Sequence, residues 1–372
     1  MLIQLESPAT IQQPTPVRID LAGRGVPPEP LVLLPQDGGG ALPAQVDGPD
    51  ALIVIVSHLE AGQPARYRLE SAPQATAGVE LQKNQDALEL RLPEGLFSAY
   101  HFGPNVVRPY LWPLYGPGQK RVTRNYPMEH RAGEEEDHPH HKSLWTAFDE
   151  VNGVDDWSEG TGHGYIRHAG FEREEHGPVV GGFTARGLWT GPDGAPVLNE
   201  ERRVRLYNAG PAQRLFDYTV VLMADFVDVE FGDTKEAGLL SVRVATTMDG
   251  ARGGLIQNAD GGRGEAECWG QRSAWCDYSG PVEGETLGIA VLDAPANHGH
   301  PTRWHARDYG LMTTNPLSNG AFTGGEPTPF LLREGDRLTC HYRVLIHRGD
   351  ATEGAVAAAY RAFIEPPTGY MI

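Results

Sequence analysis

Leu338-Thr339-Cys340-His341-Tyr342-Arg343-Val344-Leu345-Ile346-His347 carries an apolar side chain at every second position: Leu338, Cys340, Tyr342, Val344 and Ile346. Residues two apart on an extended chain point the same way, so one face of this segment belongs to a core. The other face, with Thr339, His341, Arg343 and His347, is mostly polar, and a half-buried antiparallel strand is the expectation. The same period recurs outward along the chain. Residues 79–92 alternate on both sides of Asn84-Gln85-Asp86, and residues 181–207 break at Gly191-Pro192-Asp193-Gly194, which predicts two hairpins. Further strands are expected at 31–34, 51–59, 66–69, 215–224, 239–244, 287–292 and 309–313. Only the C-terminus reads as a helix. There Asp350 or Thr352 is placed to cap an Ala-rich stretch with Val356, Tyr360 and Phe363 on one side, ended by Pro366-Pro367.

The pattern is all-β, an open pair of curved antiparallel sheets with a C-terminal helix. Residues 1–95 have short strands, many Pro and almost no His, and read as a small accessory β-domain. Residues 96–372 gather the Trp, His, Asn and Arg, so this part is expected to carry the site.

Forty-nine acidic against 31 basic residues give a net charge of −18. Such a surface repels phosphate backbones and anionic membranes, so neither nucleic acid nor membrane is an expected partner. No apolar run approaches the roughly 18 residues that cross a bilayer. The first twenty residues lack a basic start followed by an apolar core, and the three Cys have no zinc spacing, so a cytoplasmic setting with buried thiols is expected. There is no dinucleotide-binding Gly-x-Gly-x-x-Gly, no phosphate loop and no Gly-x-Ser-x-Gly elbow, so a nucleotide cofactor is not expected.

Four strings could carry chemistry. In Asp137-His138-Pro139-His140-His141-Lys142, an extended backbone would put His138 and His140 on one face and His141 on the other. Imidazoles so placed suit one divalent metal such as Zn, Mn or Ca, with His300 or, in preference, His305 as third ligand, or metal-free acid/base work, or a plain hydrogen-bonded cluster. Asn152-Gly153-Val154-Asp155-Asp156-Trp157 offers amide, carboxylate and indole groups that suit a sugar, although Asn-Gly also simply makes turns. Asp233-Thr234-Lys235-Glu236 sets an acid, a base and a cation at a strand mouth, against the reading of an ordinary solvated charge run. Finally, residues 297–310 combine Asn297, three His, Trp304 and Arg307, a density rare in a surface loop, unless Arg and Trp form a stacked corner.

Taken in order, Arg108-Pro109-Tyr110 through Pro113-Leu114, Arg124-Asn125-Tyr126-Pro127, Asp137 to His141, Asn152-Gly153-Val154, Asp233 to Glu236, Trp275-Cys276-Asp277-Tyr278, Asn297 to Trp304, and Arg307-Asp308-Tyr309-Gly310 resemble the bacterial family labelled methane oxygenase PmoA-like. The likeness runs from about Phe97 to the C-terminus, and this chain has Gly299 where the family carries an Arg before the second His-Pro. The label points to a membrane copper enzyme, and a chain without a spanning helix cannot be its subunit of that kind. Instead the resemblance implies a β-supersandwich of the galactose-mutarotase kind and a small sugar or glycoside as ligand. On that basis the expected activity is hydrolysis, elimination or epimerisation near an anomeric or keto carbon. His138, His140, His141, Asp233, Lys235 and Glu236 would be its catalytic groups, and Arg108, Asn152, Trp157, Asn297, Trp304 and Arg307 its sugar grip. The alternatives are a non-catalytic carbohydrate-binding protein and an oxygenase with metal held by two His and one carboxylate. A homo-oligomer is compatible with any of these.

Overall fold

The computed structural model describes all 372 residues, with 47% in strands and 7% in helices. The expected all-β architecture is what the chain adopts. No helix is long and apolar enough to cross a membrane.

Two antiparallel eight-stranded sheets pack face to face. The first runs, in spatial order, through strands Arg303–Arg307, Leu311–Asn315, Ala237–Arg243, Leu144–Phe148, Tyr110–Leu111, Gly95–His101, Ala87–Leu92 and Glu80–Lys83. The second runs through Tyr165–Glu175, Val180–Thr190, Pro196–Tyr207, Arg214–Met223, Arg337–Arg348, Glu285–Asp293, Trp275–Val282 and Leu255–Asn258. Both expected hairpins form, with their turns at 84–86 and 191–195. Between the sheets lies a core of 52 buried residues, which takes Leu338, Cys340, Tyr342, Val344 and Ile346 from the strand that decided the fold. Burying this much apolar surface, at roughly 25 cal/mol per Å², is the main term holding the sandwich together.

The other face of that strand is less exposed than its polar residues predict. Leu345 packs with Val356 and Ala359 of the C-terminal helix, and Arg343 and His347 are buried. The helix, Val356–Ile364, lies over the outside of the second sheet and begins later than expected. Asp350 caps the preceding turn by accepting from the N–H groups of Thr352 and Glu353, and no side chain caps the helix itself.

The accessory domain is a closed seven-stranded barrel made by Leu2–Glu6, Thr15–Asp20, Leu31–Pro35, Leu42–Val46, Ala51–Val56, Ala65–Ser71 and the C-terminal strand Thr368–Met371. The boundary expected at residue 95 is therefore corrected. Strands Glu80–Lys83 and Ala87–Leu92 pair into the first sandwich sheet, and the last residues of the chain return to complete the barrel. The barrel has its own core of 16 buried residues, among them Ile3, Leu5, Val17, Ile19, Leu52 and Val54.

Strand alternation decides which residues of the first sheet can reach a ligand. Leu144, Phe148, Val242, Trp304 and Ala306 point inward to the sandwich core. Trp145, Ala147 and Leu311 point outward and pack with Tyr110 and Trp157 in a separate small cluster, against which Tyr309 leans. Arg243, His305 and Arg307 alternate with inward-facing neighbours, so they rise from this same outer face, and loops 122–143 and 149–164 fold over it.

Candidate functional site

The histidine string is not extended. Residues 138–141 form a turn closed by the His141 N–H donating to the His138 carbonyl at 2.9 Å, with Pro139 at the second position that such turns favour. His138 has φ of 40°, a left-handed conformation uncommon for a side chain of its size and held here by its contacts. The turn gathers all three imidazoles instead of parting them. The His138 ring stacks on His141, with centroids 4.8 Å apart and planes at 6°, and on Tyr309 at 5.0 Å and 7°. His140 stands edge-on to His141 at 4.4 Å.

Asp137 organises this cluster. One carboxylate oxygen accepts from Arg124 and, at 2.7 Å, from Arg243; the other meets His138 Nδ1 at 2.8 Å. Burial alone would raise its pKa, but Arg243, the bond to His138 and Arg124 outweigh burial and hold the carboxyl below its usual range. A carboxylate only accepts, so His138 carries its proton on Nδ1 and presents Nε2 as a bare lone pair. The same reasoning fixes His141. Its Nδ1 lies 3.1 Å from Arg243 Nη1, a donor that cannot accept, so the proton sits on Nε2. His141 is 1% exposed, and burial, then the charges around it, keep it neutral.

A second group faces the first. His305 donates from Nδ1 to the Lys235 carbonyl at 2.8 Å, which leaves its Nε2 as a buried acceptor without a partner. Burial pushes its pKa down to about 4 against the pull of nearby Glu236. Burial and the positive charge of Arg108 take His140 to about 4 as well. Glu236 feels both histidines and bonds Lys235, and these outweigh its own burial to hold it ionised. At neutral pH the site thus contains neutral imidazoles beside a carboxylate anion.

Aromatic rings wall the site. Arg243 lies 4.8 Å from the face of Tyr309, and Arg307, paired with Glu265 at 2.8 Å, lies 5.4 Å from the same ring. Trp269 and Phe322 stand beside His305 at 6.4 and 6.3 Å, and the indole N–H of Trp269 has no partner. That N–H is sealed from solvent, so what the half-buried indole offers a sugar is its ring face, against which a C–H face can stack. The strings contained Asp137 and Tyr309 but gave neither a role, and sequence reasoning did not single out Trp269 or Arg243. The available signal was Arg243 in the apolar run 239–244, where only a residue turned toward a polar site belongs.

Several expected site residues do other work. Asp233 accepts from the backbone N–H groups of Asn319, Gly320, Ala321 and Thr328, at 2.7 to 3.0 Å, and fastens that loop. Trp304 is fully buried and donates to the Ser273 carbonyl. Asn297 bonds Asp293 and both backbone groups of His341, a corner on the second sheet. Asn152 ties its turn to Asp228 and Glu230. Trp157 is 3% exposed and serves as the floor under His140 and His141, while Arg108 braces it by donating to its carbonyl. Of the grip, Arg307 alone stays open to a ligand. Lys235 reaches Glu236, and Lys142 is occupied by Glu159 at 2.6 and 2.8 Å.

The proposed ligand set of His138, His140 and His305 does not form. No three His, Cys, Asp or Glu side chains converge as metal ligands. The donors present do not fit a divalent ion, and no step is routed through one.

The model of a family described as a family of unknown function (DUF6807) matches residues 87–361. No curated protein matches.

Proposed function

Since the chain belongs to DUF6807, a family of unknown function, we propose its activity from the chemistry of the site. The protein acts on a small sugar or glycoside, moving a proton near an anomeric or keto carbon, the step shared by elimination, epimerisation and general-base hydrolysis. One observation carries this reading: the Asp137–His138 pair, whose carboxylate orients the imidazole and leaves Nε2 bare in an aromatic-walled site. A base held by a third group is the recurring arrangement of proton-transfer enzymes.

His138 Nε2 removes the proton from carbon or from a hydroxyl, and Asp137, held between Arg124 and Arg243, stabilises the imidazolium that results. The Arg307 guanidinium supplies a positive edge for negative charge developing on oxygen. Tyr309 and Trp269 bracket the ring. Likeness to the PmoA-like proteins, and through them to the mutarotase sandwich, supports a sugar as ligand but names no reaction.

The test is proton NMR in deuterium oxide with a panel of glycosides and 3-keto or 2-keto sugars. Deuterium entering a carbon beside the carbonyl or anomeric centre, or a new product, with loss of either in His138→Gln, is the expected result. Binding of sugar without exchange or product over long incubation would favour a carbohydrate-binding protein that uses the same walls for affinity.

A further inference from the structure

Away from this site, the barrel, the outer face of the second sheet and the C-terminal helix enclose a cleft of about 590 Å³. Its polar groups come from separate parts of the chain: Arg18 on a barrel strand, Arg205, His341 and Arg343 on the sandwich, and Asp47 between two barrel strands. Phe363 and the segment Pro366-Pro367 close the helix side. Residues so placed meet only when barrel and sandwich are assembled, which gives the accessory barrel a role that its own core does not explain.

Arg343 is buried and held in place. It donates from Nε and Nη2 to the two oxygens of Asp217 at 2.6 and 2.9 Å, and its guanidinium lies 4.8 Å from the ring of Phe363 and 5.4 Å from that of Tyr207. The Tyr207 hydroxyl donates to Asp217 as well, so that carboxylate is fully engaged. Arg343 Nη1 has no protein partner and is not sealed from solvent, so it is left to the cleft. His341 is held from behind, its Nδ1 2.8 Å from the Thr219 hydroxyl, with Nε2 beyond hydrogen-bond range of Asp217 at 3.9 Å and the side chain 35% exposed. Arg18 is 63% exposed and touches Asp47 only at 3.9 Å, because Asp47 is taken by Arg205 at 2.8 Å. Arg205 is shared between Asp47 at 2.8 Å and Glu175 at 3.6 Å, and Arg343 is held by Asp217, so Arg18 is the guanidinium of this cleft without a carboxylate in hydrogen-bond range.

We propose that this cleft is a second ligand site, which takes a small organic or inorganic oxyanion, a carboxylate or phosphate group, between Arg18, His341 and the free edge of Arg343. A pre-ordered guanidinium edge beside an imidazole matches such an anion, because the ordering cost is already met by Asp217 and the flanking rings. The inference stands apart from the catalytic reading and survives its failure.

Calorimetric titration of the full chain with inorganic phosphate, with glucuronate and with neutral glucose tests it. One-to-one binding of phosphate or glucuronate, with glucose silent, is expected, and which anion binds more tightly separates a phosphate ligand from a carboxylate one. Arg18→Gln and His341→Gln should each weaken that binding by roughly tenfold, about one charge-assisted hydrogen bond. Arg18 is exposed and His341 is a surface-facing strand residue, so unchanged melting temperatures would confirm folded variants. Absence of anion binding at millimolar concentration, equal binding of glucose, or binding unchanged in the double variant would overturn the assignment.

Discussion

Asp137 and His138 are neighbours in sequence, yet they meet side chain to side chain at 2.8 Å because His138 adopts a left-handed backbone conformation. An extended chain would send the two in opposite directions. The turn therefore creates the pair, and the pair together with the stack on Tyr309 is what pins the turn.

Replacing His138 with Gln keeps the size and one hydrogen bond to Asp137 but removes the base. Turnover of a confirmed substrate should fall by about 10²- to 10⁴-fold while the affinity for that substrate changes little. Single-turnover rates and product-free binding, measured side by side, check this. A variant retaining wild-type turnover would remove His138 from the chemistry.

Trp269 gives a different signature. Its indole is half-buried beside His305, so Trp269→Ala should raise KM by roughly tenfold with a smaller effect on kcat, as expected for loss of an aromatic platform worth about 1 kcal/mol or slightly more. Trp269→Phe should recover most of the stacking. Equal KM in the alanine variant and the wild type would move the sugar elsewhere.

Metal removal is a third check. Because no three suitable side chains converge, protein purified without a His tag and treated with chelator should keep its melting temperature and its turnover, and metal analysis should find less than stoichiometric amounts of any one ion. Stoichiometric metal lost in His138→Gln or His140→Gln would restore the metal reading.

The strand period at 338–347 and the two hairpins were legible because burial on one face repeats every second residue. The barrel's seventh strand was not, since Thr368–Met371 is short and joins partners more than 300 residues away. For the site, residue type marked the right region and misled on direction. His140, His305 and Arg307 lie where the strings suggested, whereas Trp304 turns inward one position away from His305 and Arg307 by turn lies outward. Asp233 looked catalytic beside Lys235 and Glu236, but a carboxylate surrounded by four backbone N–H groups is what a loop clasp needs too. Such choices are made by contacts distant in sequence, which no local pattern contains.

Acid stability follows from the buried neutral histidines. His305 and His140 have pKa values near 4 in the folded protein, against the ordinary 6.5 of an unfolded chain. Between these values the unfolded chain binds protons that the folded one refuses, so stability is full above about pH 6.5 and declines as the pH falls toward 4. Urea midpoints measured across that window should drop, and they should drop less in His305→Gln. Equal slopes for the two proteins would show that His305 titrates normally.

Asp156 works in the opposite sense. It has 2% of its surface exposed, both carboxyl oxygens lack a partner, and a Cβ on Gly164 would come within 2.3 Å of one of them. Burial, reinforced by Asp155 and Asp149 and only partly offset by Arg108, raises its pKa to about 8. From the ordinary 3.8 up to 8 the folded chain holds a proton that the unfolded chain releases, so this group costs stability progressively as the pH rises through that range. Asn has the same shape and never ionises. Asp156→Asn should therefore be more stable than the wild type at pH 8, by on the order of a few kcal/mol, with the advantage shrinking as the pH is lowered toward 4. Denaturant titrations of both proteins at the two pH values give the comparison, and an advantage that did not depend on pH would mean that Asp156 is ionised and paired in the folded protein.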